Sequence, residues 1–66
     1  MEWIEQTLAS PNQIVEGYEG RKVAQRLYRV GDKEMLLRVV FETAEEVKVV
    51  ITAYLTTQIQ RYWRKV

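Results

Sequence analysis

The hydrophobic positions near the start of the chain follow the period of a helix. Four residues have the spacing of a short amphipathic helix: Trp3, Ile4, Thr7 and Leu8. A proline at position 11 suits the first turn of a second helix, which Ser10 can cap. Gly17 suits the end of that helix, so a second short helix is predicted over residues 11–16.

From Lys22 onward the pattern changes to the alternation that is typical of strands. Three strands are predicted, with sequences KVAQRLYRV (22–30), KEMLLRVVFE (33–42) and VKVVITAYLT (47–56). The dipeptide Gly31–Asp32 is a two-residue turn signal, and TAEE makes the next connection. Because these connections are short, we expect an antiparallel meander.

The end of the chain returns to a helical period. Thr57 is a plausible N-cap, and the residues after it repeat as the buried stripe of a helix: Ile59, Tyr62, Trp63 and Val66. The predicted fold class is therefore α+β. It consists of two short N-terminal helices packed on a three-stranded antiparallel meander, with a C-terminal helix, in a single domain spanning residues 1–66.

Strand parity sorts the side chains into two faces of the predicted sheet. An apolar face is expected to lie against the helices: Met35, Leu37, Val39, Phe41, Val47, Val49, Ile51, Ala53 and Leu55. If Val23 and Leu27 belong to the core, the second face carries a basic and aromatic group: Arg26, Tyr28, Arg38, Lys48 and Tyr54.

Composition and charge limit the kinds of site that this chain can form. The 66 residues carry a net charge of +1 and include neither cysteine nor histidine, so we predict no metal site and no cofactor. The segment after Val47 contains basic residues and no acidic residue. These cations either form a basic surface or reflect ordinary surface variation. No apolar run approaches the roughly 20 residues that cross a bilayer, so a cytoplasmic protein without membrane association is expected.

The basic and aromatic group of the second face carries the candidate chemistry. Arginine matches phosphate oxygens in bidentate fashion, and tyrosine stacks on a base or transfers a proton. The predicted catalytic residues are Lys48 as base, Arg38 on the phosphate and Tyr54 as acid or stacking platform. The predicted nucleic-acid-binding residues are Arg26, Arg61, Arg64 and Lys65. The alternative is that these long side chains only cover a partly exposed sheet face.

Three segments, TLASPNQIVEG, LLRVVFE and VVITAYLTTQIQRYW, give the chain a family resemblance over nearly its whole length. The chain resembles a small bacterial family catalogued as domain of unknown function 4258. That family is similar in layout to the RelE/BrnT-like toxins of the barnase–colicin–RelE fold group. The resemblance implies an RNA-acting protein that works with Arg, Lys and Tyr and is held inactive by an antitoxin.

Two functional hypotheses follow from these observations. The first is a RelE/BrnT-like RNA-binding or ribonuclease toxin-type protein, with RNA and an antitoxin or other protein as partners. The alternative is a non-enzymatic interaction module, in which the half-apolar second face with Val40, Val50 and Tyr54 docks another protein or a second copy. A homodimer would remedy the thin core of so short a chain.

Overall fold

The computed structural model describes residues 2–63 and consists mostly of one antiparallel sheet. Its elements in chain order are α1 (Glu2–Ala9), β1 (Gln13–Glu16), a 3-10 turn (Tyr18–Gly20), β2 (Lys22–Val30), β3 (Lys33–Ala44), β4 (Val47–Thr56) and α2 (Ile59–Tyr62). The four strands are adjacent in the order β1-β2-β3-β4, and every neighbouring pair is antiparallel. The β2, β3 and β4 strands agree with the three predicted strands, with β3 extended by two residues.

The predicted second helix is wrong, because its residues form the edge strand β1. A helix of six residues makes too few internal hydrogen bonds to offset the cost of its first turn. The same backbone pairs along β2 instead, with Gln13 opposite Gln25 and Glu16 opposite Lys22. The sheet therefore has four strands and one N-terminal helix, instead of three strands and two N-terminal helices.

Three hydrogen bonds fix the ends of β1 against β2. The Asn12 side-chain oxygen accepts a hydrogen bond of 2.9 Å from the Leu27 backbone amide, and the Asn12 backbone N–H donates to the Gln25 carbonyl at 2.9 Å. At the other end, Gly17 donates to the Arg21 carbonyl at 2.8 Å. A Cβ at Gly17 would lie 3.2 Å from that carbonyl oxygen, so this close approach favours glycine.

The α1 helix packs on one face of the sheet, which we call the α1 face; it includes Ala24, Tyr28, Leu37, Val39 and Phe41. The Trp3 ring stacks on the Tyr28 ring with centroids 4.6 Å apart and an interplanar angle of 13°. The buried Thr7 hydroxyl donates to the Trp3 carbonyl at 2.6 Å and lies 3.0 Å from the Tyr28 hydroxyl. The sequence prediction placed Tyr28 on the opposite face, and this assignment is wrong.

The core is distributed over both faces of the sheet. The opposite face, which we call the Arg38 face, includes Val23, Gln25, Leu36, Arg38 and Tyr54. The buried hydrophobic residues are Val23, Ala24, Leu36, Leu37, Val39 and Phe41. The prediction of a single apolar face is wrong for this reason: Leu36 and Val23 are buried beside polar groups on the Arg38 face.

A bulge in β4 reverses the expected parity of its first half. Val40 pairs with Thr52 but Phe41 pairs with Val50, so Ile51 is an extra residue. Lys48 precedes the bulge in the sequence, pairs with Thr43 and lies on the α1 face. Its ammonium is 5.4 Å from the Phe41 ring centroid. Strict alternation had predicted Lys48 on the face of Tyr54, and the bulge makes that prediction wrong.

The C-terminal segment crosses the Arg38 face as a single helical turn. The α2 helix covers four residues, and Trp63 is already extended with φ −71° and ψ 123°. The predicted helix through Trp63 is therefore wrong in length, and its N-cap is Gln58 rather than Thr57. The stripe residue Val66 lies outside the described residues.

Within residues 2–63, the longest helix has eight residues, and no helix has both the length and the apolar character needed to span a membrane.

Candidate functional site

A row of polar side chains crosses the whole sheet on the Arg38 face. The register places Gln13 opposite Gln25, Gln25 opposite Arg38, and Arg38 opposite Tyr54. Directly opposed residues on neighbouring strands lie close enough for their side chains to interact. Each of the four strands therefore contributes one side chain to the row, and Arg38 lies near its centre.

Hydrogen bonds connect the members of this row. Arg38 donates through Nε to Gln25 Oε1 at 2.7 Å and through Nη1 to the Tyr54 hydroxyl. Gln25 donates in turn to Gln13 Oε1 at 3.2 Å and to the Tyr62 carbonyl at 3.3 Å. Gln25 is fully buried, so these bonds replace the water that its amide loses. The Arg38 side chain is thus held in place by a satisfied polar network.

Two tyrosine rings contact the Arg38 guanidinium. Its central carbon lies 4.1 Å from the centroid of the Tyr62 ring and 5.6 Å from that of Tyr54. The two rings meet edge to face, with centroids 6.4 Å apart and an interplanar angle of 72°. We call Gln25, Arg38, Tyr54 and Tyr62 the Arg38 cluster.

Arg61 adds a second cation at the rim of the Arg38 cluster. Its guanidinium lies 5.6 Å from the Tyr62 ring centroid, and Nη1 donates to Gln58 Oε1 at 3.3 Å. The side chain of Arg61 is exposed. The structure therefore brings the predicted binding residue Arg61 to the same tyrosine ring that Arg38 contacts.

A depression of about 450 Å³ lies beside the Arg38 cluster. The residues that line it include one acid and two arginines: Glu16, Gly17, Arg21, Val23, Arg38, Val40 and Tyr54. The Arg21 guanidinium donates to the Glu42 carboxylate at 2.9 Å, and this hydrogen bond raises the pKa of Arg21 above its ordinary value. The charge of Arg21 is thus offset by a neighbour, whereas the partners of Arg38 are neutral.

The structure separates Lys48 from the other two predicted catalytic residues. Lys48 lies on the α1 face and donates to the Leu8 carbonyl at 3.1 Å, whereas Arg38 and Tyr54 lie on the opposite face. The expected triad of base, phosphate ligand and acid is therefore not assembled. The β-bulge is the physical cause, because it turns Lys48 toward α1.

Arg26 also lies on the α1 face, apart from the Arg38 cluster. It pairs with Leu37 in the register and donates through Nη1 to the Ser10 carbonyl at 2.6 Å. Its guanidinium lies 5.6 Å from the Tyr28 ring centroid. The remaining predicted binding residues, Arg64 and Lys65, lie outside the described residues.

Sequence reasoning missed two members of the Arg38 cluster. Gln25 stands between Val23 and Leu27 in the alternation, so placing those two in the core already implied a buried Gln25. Tyr62 was assigned to the buried stripe of a longer helix. Its position over Arg38 depends on how α2 crosses the sheet, and no local pattern reports that.

The arrangement presents hydrogen-bond donors and aromatic rings. A guanidinium has five N–H donors, and Arg38 makes two hydrogen bonds to the residues that the structure describes. Across residues 2–63, the acidic side chains form no group of three that could hold a metal ion. The cluster is therefore suited to binding an anion next to an aromatic surface.

Comparison with known proteins gives no relative for this chain: no family model, no curated protein and no solved structure matches it. The resemblance to the domain of unknown function 4258 family and to RelE/BrnT-like toxins therefore stays a prediction.

Proposed function

We propose that this protein binds single-stranded RNA through the Arg38 cluster, with a phosphate on Arg38 and a base against Tyr54. The single observation that carries the proposal is an arginine that contacts two tyrosine rings, is held by neutral partners and lines a depression. The RelE/BrnT-like resemblance of the sequence points to the same class of ligand. An RNA ligand of this kind is consistent with the cytoplasmic location expected from the sequence.

Phosphate recognition follows from the way Arg38 is held. Its Nε and one Nη1 proton are used by Gln25 and Tyr54. Two Nη2 protons and one Nη1 proton remain, and one proton from each of these two nitrogens forms a fork that matches two oxygens of one phosphate. Because Gln25 and Tyr54 already fix the plane of the guanidinium, less side-chain entropy is lost when a phosphate binds.

Base recognition is assigned to Tyr54. Its side chain is 39% exposed, and its ring lines the depression beside Arg38. A base that stacks on an exposed tyrosine contributes about 1–3 kcal/mol, and the contact tolerates any base because each has a flat aromatic face. We therefore expect single-stranded RNA to be bound with little sequence preference. Double-stranded RNA would bind more weakly, because its bases are already stacked.

Binding is proposed here rather than cleavage. Cleavage of RNA by its own 2′-hydroxyl needs a base at that hydroxyl and an acid at the leaving oxygen. Tyr54 can supply a proton, but the base predicted for this reaction, Lys48, is bonded to the Leu8 carbonyl on the other face. An antitoxin or other protein partner remains compatible with an RNA-binding protein of this design.

The test is the affinity for a fluorescein-labelled, mixed-sequence single-stranded RNA, measured by fluorescence anisotropy at several salt concentrations. Arg38→Gln should weaken binding about tenfold, which corresponds to about 1.4 kcal/mol, and should flatten the dependence on salt. Gel analysis of the same RNA after incubation reports cleavage separately. Intact RNA together with measurable binding is the expected result.

Arg26→Gln is the matched control, because it removes an arginine that also contacts a tyrosine but lies on the α1 face. Its RNA affinity should equal that of the unchanged protein. Thermal unfolding of both variants shows whether each is folded at the assay temperature. The proposal is overturned if the unchanged protein fails to bind RNA, or if the two variants lose affinity equally.

A further inference from the structure

The β4 strand is an edge of the sheet, and its outer side has no neighbour among the described residues. It pairs with β3 along its ten residues, and the strand order ends there. An edge strand presents a row of unpaired N–H and C=O groups that can accept another strand. The opposite edge, β1, has only four residues and follows Pro11, so it offers a much shorter template.

The side chains of β4 are unusually apolar for an exposed edge. Most of the large exposed hydrophobic residues of the described chain belong to β4, with exposed fractions between 39% and 61%: Val47, Val49, Val50, Ile51, Tyr54 and Leu55. Natural edge strands are usually protected by charges, by proline, by a β-bulge or by a covering element, and β4 has one bulge, at Ile51. Between Val47 and Thr56 there is no proline and a single charged residue, Lys48.

The Lys48 side chain contacts its own chain instead of protecting the edge. The bulge at Ile51 places Lys48 on the α1 face, where its ammonium bonds the Leu8 carbonyl and lies over the Phe41 ring. A lysine near one end of a strand also permits self-pairing. When two copies of β4 pair antiparallel about their middle, the two Lys48 side chains lie at opposite ends of the shared ladder, so they do not repel each other.

The surface area of the chain is larger than expected for a monomer of its size. The accessible surface is 5059 Å² for a mass of 7.9 kDa. A folded monomer of that mass is expected to expose about 4,400 Å². The excess, roughly 650 Å², approaches the area of about 800 Å² that one partner buries in a stable protein interface. The molecule is correspondingly elongated, with extents of 39 × 25 × 18 Å.

We propose that the β4 edge pairs antiparallel with β4 of a second copy of this chain, joining the two four-stranded sheets into one eight-stranded sheet. The contact is isologous, so it uses both long edges and closes at a dimer. It buries the exposed valines and Ile51 of both copies and supplies main-chain partners to the edge of each. The pairing does not depend on the proposed RNA binding, because it is formed by the main-chain groups of β4; Tyr54 is the residue that the two surfaces share.

The experiment is sedimentation equilibrium of the unchanged protein and of Val49→Lys, over concentrations from micromolar to millimolar and without RNA. The unchanged protein should sediment with twice the chain mass at the upper concentrations. Val49→Lys should weaken the dimer at least tenfold, because each dimer would bring two new ammonium groups into the apolar edge. A strict monomer at every concentration overturns the proposal, and a partner of another chain would then be the occupant of the edge.

Val30→Lys and Ile14→Lys are the matched controls. Val30 is a valine of β2 with an exposed fraction of 42%, against 45% for Val49, and Ile14 is an exposed residue of the opposite edge strand. Both variants should dimerise as the unchanged protein does. Loss of the dimer in Ile14→Lys but not in Val49→Lys would assign the contact to β1 and overturn the proposal.

Cysteine cross-linking identifies the strand that is paired. Because the chain has no cysteine, a single introduced one reports on its own position. Cysteines placed one at a time along β4, from Val47 to Leu55, should form an intermolecular disulfide most readily at the positions nearest the two-fold axis. Val30→Cys should remain reduced under the same conditions. Equal oxidation at all positions would indicate random collision and would contradict strand pairing.

Discussion

The two faces of the sheet use their cations in different ways. On the α1 face, Arg26 and Lys48 donate to the carbonyls of Ser10 and Leu8, at the C-terminal end of α1. These carbonyls have no partner further along the helix, and they carry the negative end of its dipole. On the Arg38 face, Arg38 is held by the side chains of Gln25 and Tyr54 and faces a depression.

The difference shows that the hydrogen-bond acceptor of a basic residue decides its role. The residue either stabilises the fold or keeps its charge available for binding an anion. Main-chain carbonyls in the last turn of α1 and just after it fix Lys48 and Arg26 as part of the helix–sheet contact. The neutral side chains around Arg38 orient its guanidinium but leave its positive charge without a carboxylate partner in the described part of the chain. A search for anion sites in small sheets should therefore weigh the partner of each cation above its spacing in the sequence.

Core truncation gives the largest expected effect, and it tests whether the Arg38 face is part of the core. Leu36 is fully buried on that face, so Leu36→Ala should reduce the free energy of unfolding by about 2–5 kcal/mol. Leu55→Ala on the α1 face, at a residue that is 40% exposed, should cost about 1 kcal/mol or less. Urea denaturation measures both. Equal losses would mean that the two faces are not packed as described.

Thr7→Val tests the polar contact that fastens α1 to its face. The substitution keeps the shape of the side chain but removes the hydroxyl that bonds the Trp3 carbonyl and meets the Tyr28 hydroxyl. We expect a loss of about 1 kcal/mol in the free energy of unfolding. A double-mutant cycle with Tyr28→Phe measures how much of it belongs to the pair. An additive cycle would show that the two hydroxyls do not interact.

Lys48→Met tests the distinction between cations that stabilise the fold and cations that can bind an anion. It removes a charge at the C-terminal end of α1, so the free energy of unfolding should fall by about 0.3–1 kcal/mol. RNA affinity should be unchanged, whereas Arg38→Met should weaken RNA binding with the fold retained. Chemical denaturation and fluorescence anisotropy on the same preparations make the comparison. A loss of RNA affinity in Lys48→Met would show that Lys48 contributes to RNA binding.

Tyr54→Phe has the smallest expected effect. It keeps the ring for stacking and removes the hydroxyl that accepts from Arg38 Nη1. Because Tyr54 is 39% exposed, water replaces that partner, and the free energy of unfolding should change by about 0.5 kcal/mol or less. RNA affinity should fall only about two- to threefold, since stacking is retained. A loss as large as that of Arg38→Gln would show that the hydroxyl itself contacts the RNA.

Local patterns predicted the long strands and the first helix well. Alternation and turn residues define β2 and β4 as the structure has them, since each is long enough for its period to be unambiguous. The segment around Ile14 was assigned to a helix from the capping signals at Ser10, Pro11 and Gly17, and its six residues are too few for the hydrophobic period to contradict them. Its strand identity depends on pairing with β2, which contributes hydrogen bonds that no local signal shows.

The candidate site was predicted only in part. Arg38 and Tyr54 were correctly placed on one face, because neither lies beyond the bulge and each keeps the parity of its strand. Lys48 was misplaced because one extra residue at Ile51 moves every earlier side chain of β4 to the other face. Arg26 was misplaced because the core face of β2 cannot be chosen from a strand that is buried on both sides.

The sequence by itself determined which long segments pair as strands and where the hairpins turn. Periodicity and turn chemistry act over a few residues, so one chain is enough to read them. Only the tertiary structure decided which face each cation occupies, how Tyr62 comes to lie over Arg38, and that β4 ends the sheet with an apolar edge. These features depend on register, on the bulge and on the path of the C-terminal segment, all of which are set by contacts between residues far apart in the chain.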